Sequence, residues 1–180
     1  QLSQNIFYTD AAFVSLAFDA AGKEGWRLLL QLDEECTAVK LPKEMRQSSE
    51  KLGWRMLKIF SSLTDNGFAK KYRAAIENNE ATGHHSIVFG LYGSVLGVSK
   101  KELLAGFFYS CAAAMVTNSV KLIPIGQQDG QEILFSLHEL IIDLASGSLT
   151  PNPDLIGLCC TGFDIRCMQH EHLYSRLYMS

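Results

Sequence analysis

Apolar residues recur along this chain at three- and four-residue intervals, the spacing that gathers them on one side of a helix. Ile6, Phe13, Val14, Ala17 and Phe18 form the first such stripe, which runs out near Ala21-Gly22. Trp26, Leu29 and Leu30 predict a second, short helix. Pro42 opens a third, with Leu52, Met56, Ile59, Phe60 and Leu63 on one face and Arg55, Lys58 and Ser62 towards the other. That is the cleanest amphipathic pattern here, the kind that turns its apolar side to a core. Asp65-Asn66-Gly67 stops it, residues 68–77 read as a fourth helix, and 78–83 form a polar connection.

Two apolar helices follow, over 86–96 and 99–122, split at Gly97. Ser99 has the chemistry of an N-cap, with Glu102 three residues on as the returning partner of a capping box. Gly106 and Ala112, Ala113 and Ala114 would let neighbouring helices approach closely. Pro124 ends the second of the pair. Asp129 and Glu132 repeat the capping-box spacing and predict a helix continuing to about Leu144. Nothing alternates with a period of two over strand lengths, and no segment repeats. The pattern therefore predicts an all-α, single-domain helical bundle over 1–150. The turn-rich run SGSLTPNPD at 146–154 marks the boundary, and 151–180 is read as loop and C-terminal interaction tail.

The composition narrows the function. The chain has 180 residues, 47% of them hydrophobic, enough for one compact core. Its formal net charge is −3 and it has no run of Lys and Arg, which argues against nucleic acid or an anionic membrane as partner. Five cysteines at irregular spacing, with no C-x-x-C pair, fit reduced thiols in the cytoplasm. The uncharged run at 103–120 is long enough to span a bilayer, but Tyr109, Ser110, Thr117, Asn118 and Ser119 interrupt it, and a central core helix is expected. The start QLSQNIFY enters a helical pattern almost at once, as a fragment missing its natural N-terminus would.

The tail at 164–180, DIRCMQHEHLYSRLYMS, is the most unusual stretch. Without Gly or Pro it suits a helix. Ile165, Met168, Leu173, Leu177 and Met179 would spread over one broad arc, with Cys167, Tyr174 and Tyr178 opposite and Arg166, His170, His172 and Arg176 between them. A solvated helix keeps one polar face, so this pattern reads as a segment that orders against a partner, with Arg and Tyr as anchors.

Candidate chemistry is sparse. Cys167 and His170 would share a helix face with Glu171 nearby, while His172 points roughly the other way. One helix supplies two metal ligands or three, not a closed tetrahedral site. A structural metal site, a labile site shared with a partner, and plain polar interface residues all remain open, the last favoured. His84-His85 reads as a helix-start residue followed by a half-buried imidazole. No P-loop is present, and no orienting carboxylate or oxyanion hole marks a Cys/His nucleophile. The stretch VKLIPIGQQDGQ at 120–131 breaks a helix at Pro124 and clusters Lys121, Gln127, Gln128, Asp129 and Gln131 around the break.

Two of these stretches, VKLIPIGQQDGQEIL at 120–134 and H-E-x-x-Y-S-R-L at 170–177, resemble the urease accessory protein UreF family. RQSSEKLGWRML at 46–57 and GHHSIVFGLYGSVLG at 83–97 add weaker support, and the resemblance covers essentially the whole chain. The family's N-terminal P-x-G-x-[FY]-x-x-S-x-G-L-E-type motif is missing from the front. The resemblance implies an all-α cytoplasmic protein with no catalysis of its own and no tightly bound cofactor, nickel passing at most transiently. It implies a homodimer that binds the accessory protein UreD (or UreH), recruits the GTPase UreG, and helps load nickel into the urease apoprotein. By the same resemblance, Lys121 and Asp129 belong to a surface facing UreG, and Tyr174 and Arg176 to the tail motif that stabilises the complex and the dimer. Gln127, His170, Glu171, Ser175 and Leu177 are the further candidate partner-binding residues of these two motifs. A nickel carrier built on Cys167 and His170 is the alternative.

Overall fold

The computed structural model describes residues 1–174, and among these the regular structure is entirely helical. A π-helical turn over Leu2–Ile6 leads into α1 (Asp10–Gly22), then α2 (Trp26–Val39), α3 (Lys43–Leu63), α4 (Gly67–Glu77) and α5 (His85–Val95). The long α6 (Lys100–Leu122) is followed by α7 (Gln127–Ser136), α8 (His138–Gly147), a short 3-10 turn and α9 (Thr161–His170). The all-α bundle expected from periodicity is the observed fold.

α1 is the spine because apolar residues, five of them alanine, cover most of its circumference. Ala11, Ala12, Phe13, Val14 and Ala17 are all buried. One side joins Leu29 and Cys36 of α2, Leu57 of α3, Tyr72 of α4 and Leu91 of α5 in a first core. The other joins Leu104, Phe107 and Phe108 of α6 with Leu134, Ile141 and Ala145 of α7 and α8 in a second. α5 presses closest on α1. A Cβ at Gly90 would overlap the Val14 carbonyl oxygen and come within 2.9 Å of the Ala17 Cβ, so only glycine fits this crossing.

Several local expectations change. Ile6 belongs to the initial turn rather than to α1. α2 is a full 14 residues, because Leu29, Leu32, Asp33 and Cys36 form one buried face whose charged member hides it from a hydrophobicity count. The helix predicted to run to Leu144 divides at Leu137, where the backbone bond tightens to Leu134. Gly106 faces open space and Ala114 is exposed, so of the small residues in α6 only Ala112 is fully buried. α6 is, by length and composition, apolar enough to cross a membrane. It is central on one face only: Leu104, Phe108 and Ala112 are buried, whereas Tyr109, Ser110, Thr117 and Asn118 are exposed.

The largest departure is in α3. Its predicted core stripe divides: Met56 and Phe60 pack against the first core, whereas Leu52 is 48%, Ile59 57% and Leu63 70% exposed, and Ser49, Gly53 and Leu57 are the fully buried residues. A Cβ at Gly53 would collide with the Gly83 carbonyl oxygen. The helix therefore lays its smoothest side, Ser49 and Gly53, against the 82–85 segment, and that rotation carries Leu52 and Ile59 to the surface. Packing geometry overrode the hydrophobic pattern here.

Candidate partner-binding surface

The helix break at 123–126 forms a corner between α6 and α7. Gly130 lets the corner close: a Cβ there would lie 3.0 Å from Val120 Cγ2 and 3.3 Å from Val116 Cγ1. Lys121, in the last turn of α6, and Gln127 and Asp129, in the first turn of α7, are all exposed. Asp129 Oδ2 accepts a hydrogen bond from the Gly126 N–H at 2.7 Å, so the cap falls three residues earlier than the Asp129–Glu132 spacing predicts. Glu132 instead accepts from Gln128 Nε2 at 3.1 Å. At Ser99 the expected cap is present, the Oγ accepting from the Glu102 N–H at 3.3 Å. Beside the corner lies a cleft of about 490 Å³ lined by Tyr109, Gln131, Glu132, Phe135 and His138. Phe135, 75% exposed, stands at its edge, its ring centroid 5.2 Å from that of His138.

The tail helix α9 begins three residues before the expected start and ends at His170, so residues 171–174 are not helical. No residue of α9 is buried. Ile165 and Met168 on the helix, and Leu173 and Tyr174 beyond it, are exposed. Phe163 and Cys167 are half-buried, and two polar contacts fasten the end of the helix. His170 Nδ1 lies 2.7 Å from Glu44 Oε2, and Glu171 Oε1 accepts from the Lys43 N–H at 2.9 Å. Both contacts meet the first turn of α3. Ser175, Arg176 and Leu177 lie outside the described residues.

The expected site residues thus fall into two groups: the corner group on α6 and α7, and the tail group where α9 meets α3. Among the described residues, no three His, Cys, Asp or Glu side chains converge as a metal site would require. Partial burial and the nearby Asp164 and Glu44 carboxylates raise the Cys167 thiol. Cys36 and Cys111, pushed up to about 12 chiefly by burial, are core thiols rather than nucleophiles.

Sequence reasoning missed a buried polar network. Asp33, 1% exposed, accepts from Tyr72 Oη at 2.9 Å, from the Gly83 N–H at 3.1 Å, from the His84 N–H at 3.2 Å and from the Thr82 N–H. His84, the N-cap of α5, is the fully buried member of the histidine pair, and His85 is only partly covered. Thr37 donates its hydroxyl to the Asp33 carbonyl at 3.0 Å and faces His84 Nε2 at 2.9 Å, while Ser49 Oγ lies 3.2 Å from Nδ1. A neutral imidazole protonated at Nε2 satisfies both contacts, and burial pushes His84 down to about 4. The signal was present in the sequence: an acidic residue inside an otherwise apolar helical stripe.

The UreF family model matches residues 1–138. A protein of Actinobacillus pleuropneumoniae serotype 5b, named urease accessory protein UreF, is 43% identical over all 180 residues, which cover 79% of that relative. One of the same name from Haemophilus influenzae is 42% identical over the whole chain and 77% of its own length. A third, from Sporosarcina pasteurii, is 32% identical over 99% of this chain and 89% of its own.

Proposed function

This chain belongs to the UreF family of urease accessory proteins, and from that premise we propose that it is a non-catalytic scaffold for nickel loading in the cytoplasm. In this reading the tail docks UreD/UreH bearing the urease apoprotein. The α6–α7 corner with Lys121, Gln127 and Asp129 receives UreG and regulates its GTP hydrolysis. Two copies associate, a role open to the uncovered face of α6 that presents Gly106, Tyr109, Ser110 and Thr117.

The observation that carries this reading is α9, a helix with no buried residue whose end is fastened to its own bundle by polar contacts. Its exposed Ile165, Met168, Leu173 and Tyr174 represent burial still available, at about 25 cal/mol per Å² of apolar area less the cost of ordering the segment. Nickel is then cargo. Carriage by Cys167 and His170 is less well supported, because no third His, Cys, Asp or Glu side chain converges with them among the described residues and His170 Nδ1 is engaged by Glu44. The test is co-elution of purified UreD/UreH with the full chain and with a chain lacking 164–180. Loss on truncation supports the scaffold reading, and undiminished co-elution overturns it.

A further inference from the structure

We propose that the outward face of α3 is the second half of the tail's docking site, covered by an apolar, acid-flanked segment of the same partner that takes α9; this rests on the scaffold reading above. Four apolar side chains, Met45, Leu52, Ile59 and Leu63, are 42%, 48%, 57% and 70% exposed. At 3.6 residues per turn the other three lie within about 20° of Leu52, forming a straight stripe about 27 Å long. Scattered exposed apolar residues need no explanation, but four aligned along one side of a single helix point to an interaction surface.

The chemistry of the occupant follows from what borders the row. Arg55 and Lys58 are exposed along one edge of it. α3 carries five basic side chains against two acidic ones in a chain whose formal net charge is −3, so the strip is a local exception. A segment burying the apolar row would meet cations along one flank and needs carboxylates there. The identity of the partner follows from continuity. Glu44, which holds His170, is one heptad before Lys51 and two before Lys58, on the same side of α3. α9, with Ile165 and Met168 exposed, therefore lies across the start of this face, and a protein that grips α9 borders the row.

The test uses the full chain and purified UreD/UreH, with affinity read by biolayer interferometry at two salt concentrations. Leu52→Glu with Ile59→Glu, and separately Arg55→Glu with Lys58→Glu, should each weaken binding at least tenfold while helicity and melting temperature hold. If removing 164–180 weakens binding but both pairs bind like the parent, the inference fails and the scaffold reading stands. If that truncation binds like the parent, the scaffold reading itself fails. Conversion of a dimer to a monomer by either pair, with partner affinity unchanged, would assign the face to a second copy and overturn the inference. Should Leu52→Glu with Ile59→Glu unfold the chain, the charge-reversed pair decides alone.

Discussion

His170 Nδ1 and Glu44 Oε2 meet at 2.7 Å across 126 residues of chain, fastening the tail helix to the first turn of α3. The side chains are 39% and 30% exposed, so solvent screens the pair, and such contacts contribute about 0–1 kcal/mol. With no residue of α9 buried, the helix belongs at the low-stability end of the molecule. Glu44→Ala should leave the melting temperature of the bundle within about 3 °C of the parent. Limited proteolysis within 161–174 should run a few-fold faster, read by mass spectrometry. Unchanged cleavage would show that other contacts hold the tail.

The corner carries a built-in confusion between stability and recognition. Asp129 is exposed, as an interface residue should be, yet its carboxylate also caps α7 through the Gly126 N–H. Asp129→Ala removes both roles and should cost about 1 kcal/mol of stability, or roughly 2–4 °C. Asp129→Asn keeps an acceptor for the cap and deletes the charge, so it should melt close to the parent. Weakened UreG binding by Asp129→Asn, measured by calorimetry, would locate recognition in the charge. Parent-like binding by that variant would leave the cap as the residue's only role.

Acid should destabilise the bundle before most carboxylates titrate. Burial depresses His84 from 6.5 to about 4, and burial also lowers His85. Each is neutral when folded and gains a proton on unfolding once the pH drops below about 6.5. Their stabilising contribution is complete above that pH and is lost progressively down to the folded value of about 4 for His84. His84 alone accounts for roughly 3 kcal/mol over this window. Urea midpoints should fall steadily between pH 7 and pH 5, with a smaller slope for His84→Gln. A flat profile would mean that both imidazoles charge without cost in the folded chain.

Periodicity made most of the fold legible. The stripes of Phe13 and Ala17, the stop at Asp65-Asn66-Gly67, the Ser99 cap and the break at Pro124 are all where local physics puts them. What stayed hidden required a partner distant in sequence. The smooth face of Ser49 and Gly53 wins α3 for the core only because the 82–85 backbone passes there. Asp33 is buried only because Tyr72 and three successive N–H groups surround it. Of the candidate surface, the corner and the tail were readable as motifs. Of the outward row on α3, Leu52, Ile59 and Leu63 read in the sequence as core, together with Met56 and Phe60, which do pack there.

The Asp33 cluster holds the 82–84 backbone against which Gly53 of α3 packs. Its carboxylate gathers the Tyr72 hydroxyl and the N–H groups of Thr82, Gly83 and His84, tying α2 to α4 and to the start of α5. Asp33→Ala would strand these donors in a buried site, each costing about 1–3 kcal/mol unless water enters. A net loss of about 3 kcal/mol or more is expected, lowering the melting temperature by at least about 6 °C. Asp33→Asn keeps acceptors but must turn an NH₂ group towards donors, so it should fall between parent and Asp33→Ala. Tyr72→Phe removes one donor and leaves the three backbone bonds, and should cost only about 1 kcal/mol. That ordering, read by chemical denaturation, tests whether the carboxylate organises the segment. Equal losses for Tyr72→Phe and Asp33→Ala would place the weight on the tyrosine hydroxyl alone.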